Sequence, residues 1–74
     1  MSDAFRTLNM FAERLDAARI HYRLEIARPG WVMFCISVPE EYWEVEFNGE
    51  GETEVEVFCS RTGVREDAGL EELF

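Results

Sequence analysis

Lysine is absent from this chain. All 7 basic side chains are arginine, and 16 acidic ones outweigh them to give a formal net charge of −9 over 74 residues. A chain so acidic repels phosphate backbones and anionic lipid surfaces, and its scattered arginines form no basic patch, so neither nucleic acid nor membrane is an expected partner. The 2 cysteines, Cys35 and Cys59, are too few for a disulfide scaffold and too far apart for a CxxC site, so free thiols are expected. There is no apolar run of 18 residues and no charged-then-apolar leader at the start, which points to a cytoplasmic chain. Glycine signatures for phosphate binding, HExxH and GxSxG are missing as well, and there is a single histidine, His21.

What is present argues for a folded domain. The chain is 47% hydrophobic and 14% aromatic, too apolar for a disordered segment, and its length allows one domain, residues 1–74. A domain this small buries only about 60% of the surface its unfolded chain exposes, so a partner or a second copy would help its stability.

The acid is unevenly placed. Residues 1–28 hold five arginines against four acids, whereas Pro29 to Ser60 hold eight glutamates and no basic residue. Periodicity divides the chain further. Phe5, Leu8, Phe11, Ala12, Leu15 and Ala18 recur at helical spacing, which predicts a helix over 3–19 capped by Ser2. Beyond it the period falls to two. Strands are expected over 22–26, 31–38, 42–47 and 53–60, separated by Pro29-Gly30, Pro39-Glu40 and a loop around Asn48-Gly49-Glu50-Gly51. A short helix over 67–74 closes the chain.

Loops this short make hairpins, so the expected fold is α+β: an N-terminal helix packed on a four-stranded antiparallel meander, then a short C-terminal helix. A two-residue loop at Pro39-Glu40 sets Ile36 opposite Trp43, Phe34 opposite Val45 and Val32 opposite Phe47. Pairing Phe47 with Thr53 then sets Val45 against Val55 and Trp43 against Val57. These form one apolar core face for the helix to cover.

The same register brings Glu46 opposite Glu54 and Glu44 opposite Glu56 on the other face, with Trp31, Met33, Cys35, Tyr42 and Phe58 beside them. Like charges directly opposite are destabilising. Large aromatics among unpaired acids suit docking to a basic protein surface, and Trp31, Met33, Tyr42, Glu44, Glu46, Glu54, Glu56 and Phe58 are the candidate binding residues. A merely solvated face is the plainer alternative. A divalent cation fits less well, because calcium sites mix carboxylates with carbonyls on a turning loop, so neither a metal nor a cofactor is assigned. No catalytic residue is assigned either. His21 reads as a surface residue, and a flat carboxylate-bearing sheet offers no enclosed pocket for acid–base work, so the chain is not expected to be an enzyme.

Pro39, Trp43-Glu44-Val45-Glu46-Phe47, a glycine-containing turn, Val55-Glu56-Val57-Phe58, Gly63 and the closing Leu70-Glu71-Glu72-Leu73-Phe74 resemble a group of small bacterial proteins. Some of these are similar to immunity proteins found beside polymorphic toxin genes. Glu40 stands where glycine is expected, and the turn after Phe47 is longer than the usual aspartate-glycine turn. The resemblance spans about the C-terminal half and implies a bacterial protein that acts by binding another protein, such as a toxin domain. The alternative is a structural or housekeeping module that associates with itself as a homodimer, through the aromatic part of the exposed face or through an edge strand.

Overall fold

Residues 3–60, 63–66 and 68–74 are described by a computed structural model. Helix α1 spans Asp3–Ala17 and is followed by β1 (Tyr22–Glu25), β2 (Trp31–Val38), β3 (Glu41–Asn48), β4 (Thr53–Cys59), β5 (Gly63–Arg65) and a 3-10 helix at Leu70–Leu73. The strands pair in chain order as one antiparallel meander. The expected α+β class therefore holds, with two corrections.

The sheet has five strands rather than four. Gly63–Arg65 pairs with the end of β4, Val57 facing Arg65 and Phe58 facing Val64, and three residues are too few to show a period of two. The C-terminal helix shrinks to one 3-10 turn. Gly69, which favours no helix interior, lies just before it and donates its N–H to Glu72 Oε2 at 3.1 Å. Asp67, the expected start of that helix, lies outside the described residues, as does Ser2, the expected cap of α1.

Helix α1 ends two residues sooner than expected. Ile20 N–H reaches the Leu15 carbonyl at 2.9 Å and Arg19 N–H reaches that of Asp16 at 3.1 Å, a Schellman closure with Arg19 in the left-handed region at φ 60°. Ile20 then packs beside Leu15 at the core margin, which fixes the chain's exit toward β1.

The register is the expected one throughout β2–β3 and β3–β4. Trp43, Phe34, Ile36, Val45, Val57 and Leu15 are fully buried, and Phe11 of α1 meets Phe34 edge-on at 5.0 Å. On the β4–β5 side the C-terminal segment completes the cover: Arg14 of α1 pairs with Glu71 at 2.7 Å and lies 4.1 Å from the Phe74 ring centroid, while Ala68 enters the core.

Candidate functional site: an acidic groove on the outer face

The face opposite α1 is built in rows, because antiparallel strands align side chains across the sheet. Reading from β1 to β4, one row is Glu25, Met33, Glu46 and Glu54. The next is Arg23, Cys35, Glu44 and Glu56. A third row, Ser37, Tyr42, Phe58 and Val64, extends to β5. The Tyr42 and Phe58 rings lie 5.9 Å apart, so an aromatic pair borders the acids.

This face is not flat. β5 covers only the last part of β4, and along the uncovered part lies a groove of about 510 Å³ lined by Glu44, Glu46, Glu54, Glu56 and Glu66 together with Thr53, Val55 and Ala68. Glu66 joins the expected acids here, and without the unexpected β5 its neighbourhood could not be read from the sequence.

The expectation that all four central glutamates lack a cationic partner is corrected. Arg28 folds back over the outer face, with Nε 3.2 Å from Glu46 and an Nη atom 2.8 Å from Glu54, and its guanidinium lies 3.9 Å from the Trp31 ring centroid. Counting charge by chain segment hid this, because Arg28 stands just before the acidic stretch. A local signal could have revealed it. In Arg28-Pro29-Gly30-Trp31 the Trp31 N–H bonds the Arg28 carbonyl at 3.2 Å and Gly30 has φ 86°, a turn that sets the first and fourth residues side by side. Glu44 and Glu56 face each other without an arginine in ion-pair range among the described residues.

The other candidates differ in how far they reach solvent. Tyr42, Glu44, Glu46, Glu56 and Phe58 are half-buried and Glu54 is exposed, so all can be touched from outside. Trp31 is half-buried under Arg28. Met33 points outward as expected but is only 7% exposed, screened in its row by Glu25 and Glu46, so it is packing rather than a docking residue. Cys35 is hidden in the same way, its Sγ 3.5 Å from Glu25 Oε2. Its hydrogen bond with Tyr42 is the main cause that pushes the phenol up to about 12, with loss of water contact second.

Cys35 and Cys59 are both free, on strands separated by β3. His21 is exposed at the rim of a shallow hollow of about 180 Å³ with Tyr22, Arg23, Cys35 and Ser37. Among the described residues no three of His, Cys, Asp and Glu converge as metal ligands, and no helix is long and apolar enough to cross a membrane. Chemically, the groove can accept hydrogen bonds and ion pairs from cationic groups along its length, with an aromatic border at one side. No family model, no curated protein and no solved structure matches the chain.

Proposed function

We propose that the chain is a small non-enzymatic binding module that docks a basic protein surface in the groove between Glu44, Glu46, Glu54, Glu56 and Glu66. The observation that carries this is the Glu44–Glu56 pair. Two carboxylates held opposite each other on neighbouring strands repel, and a guanidinium or ammonium from a partner would relieve that repulsion. Arg28 already does so in the next row, stacked on Trp31 and bridging Glu46 and Glu54, and so displays how a partner's arginine would sit. Tyr42 and Phe58 border the pair and would supply apolar contact, while the acids set the approach rate and the specificity.

A toxin domain that acts on nucleic acid fits this description of a partner, since such domains carry basic substrate grooves, and the resemblance to immunity proteins points the same way. The acidic face would then occupy the space of the substrate's phosphates. The module would work in the cytoplasm of its host.

The test is capture from the native host with the parent chain and with a variant in which Glu44, Glu46, Glu54 and Glu56 are glutamine. A basic protein retained by the parent, released by salt and not held by the variant supports the assignment; growth arrest when that protein is expressed alone would identify it as a toxin. Equal retention by the two chains at low salt would overturn it.

A further inference from the structure

Among the described residues, helix α1 is sealed along one flank only. On the β4–β5 side the C-terminal segment closes it through Arg14, Glu71 and Phe74. On the β1 side no described residue gives comparable cover over the core face: Leu24 is 50% exposed and Ile26 67%. Beyond the end of β1, Ile26 lines an apolar groove of about 360 Å³ with Phe5 of α1, which is 64% exposed, and with Trp31, Val32 and Phe47 at the adjoining ends of β2 and β3. Among the described residues β1 is moreover the end strand of the sheet, paired only with β2, so its outer backbone edge is open to another strand.

We infer that this edge is where two copies of the chain join, β1 to β1 and antiparallel across a two-fold axis at Leu24, giving one continuous sheet with both α1 helices on the same face. The sequence of β1 is self-complementary in this register. Leu24 meets the partner's Leu24, and Tyr22 meets the partner's Ile26, all on the core face. On the outer face Arg23 meets the partner's Glu25, and Glu25 meets the partner's Arg23.

Neighbouring registers fail on charge or on face. Sliding by two residues in either direction sets Arg23 against the partner's Arg23 or Glu25 against the partner's Glu25. Sliding by one sets charged side chains against apolar ones and turns the partner's helix to the wrong side. Within one copy Arg23 and Glu25 already pair at 3.3 Å, so the charges need only exchange partners. Electrostatics of the whole chain favour this edge too. Residues 1–28, which build α1 and β1, carry five arginines against four acids, so two strongly acidic molecules can approach here with least repulsion. The acidic groove lies beside β4, with β2 and β3 between it and β1, and stays open in both copies. The pairing is therefore independent of the binding role proposed above.

Sedimentation equilibrium of the full chain at about 100 µM and physiological salt tests it, with circular dichroism to verify that each variant is folded. The parent is expected to be dimeric. Arg23→Glu and Glu25→Arg each place two like pairs across the axis and should weaken association by about tenfold or more, and the double exchange R23E/E25R should restore it. Leu24→Cys should oxidise to a covalent dimer, because opposed residues of an antiparallel pair lie within disulfide reach. A monomeric parent, a dimer indifferent to either single exchange, a double exchange no better than the singles, or an L24C chain that forms no intermolecular disulfide would each overturn the inference.

Discussion

The Arg28 guanidinium lies 3.9 Å from the centroid of the Trp31 ring, held there by the Pro29-Gly30 turn. From that position it also meets Glu46 and Glu54, so one residue binds the start of β2 to the acidic rows of β3 and β4. Both kinds of contact are solvent-accessible, and each is therefore worth well under the value of a buried pair.

Replacing Arg28 with alanine should cost about 1 kcal/mol at low salt, which lowers the melting temperature by roughly 4–8 °C for a domain of this size. Part of the loss should disappear at high salt, where repulsion between Glu46 and Glu54 is screened. Trp31 should become more open to acrylamide quenching, while buried Trp43 stays protected. Arg28→Lys keeps the charge but not the planar stack, so it should rescue the ion pairs and leave Trp31 quenchable. Unchanged quenching in R28A would mean that the stacking does not persist in solution.

The two glutamate pairs should answer differently to neutralisation. E44Q/E56Q removes a repulsion that has no cation in ion-pair range among the described residues and should raise stability by about 0.5 kcal/mol at low salt. E46Q/E54Q removes the same repulsion but also weakens the ion pairs of Arg28, so it should gain less or lose outright. Urea midpoints at low and high salt separate them; equal gains would show that Arg28 contributes nothing to the second pair.

Trp43 is fully buried on the core face, and its Nε1 donates to Glu41 Oε1 at 3.0 Å. Trp43→Ala should cost about 3–5 kcal/mol, a large part of what a domain this small has to lose. Trp43→Phe keeps most of the volume and should cost much less. A W43A chain that melts within a few degrees of the parent would place the indole outside the core.

This face assignment is legible in the sequence alone, because short hairpin loops tie each register to its neighbour and a slip of one residue would turn Trp43, Val45 and Phe47 to solvent. The four opposed glutamates followed from the same constraint. What did not follow was anything depending on side-chain reach or on very short elements. Arg28 reaches a row that its sequence segment does not contain, and Met33 disappears between longer neighbours although its strand parity is right. β5 and the 3-10 turn are too short for periodicity, and they decide where Glu66 and Ala68 stand beside the groove.

The tyrosines should report alkaline unfolding. The Tyr42 phenol is pushed from its ordinary value of 10.0 up to about 12, first by its hydrogen bond with Cys35 and then by burial, and Tyr22 is raised by burial and by Asp16. Since the fold favours the neutral phenol, its stabilising effect is complete below pH 10 and is lost as pH rises from there toward about 12. Titration by tyrosinate absorbance should show little ionisation in the native protein at pH 10, then a rise that coincides with loss of circular dichroism. Cys35→Ala should move the Tyr42 transition toward that of a free phenol. Ionisation of both tyrosines near pH 10 with the fold intact would contradict the environment described for Tyr42.

The two prolines of the chain each precede a residue with positive φ, but only one of these residues is glycine. Gly30 follows Pro29 at φ 86°, whereas Glu40 follows Pro39 at φ 68°. Proline at the first loop position excludes the turn types that need positive φ there, so the strain of the tight β2–β3 hairpin falls on Glu40. A side chain in the left-handed region costs about 1–2 kcal/mol, and glycine recovers most of this while giving some back through a freer unfolded chain. Glu40→Gly should therefore raise stability by about 0.5–1 kcal/mol and the melting temperature by roughly 4 °C. Arg19→Gly relieves the same conformation at the end of α1 but removes a positive charge from the negative end of the helix dipole, so its gain should be smaller. Glu40→Gln separates the causes, because it removes the charge and keeps the strain. If E40Q stabilises as much as E40G at high salt, the benefit is not conformational and the positive φ of Glu40 carries no cost.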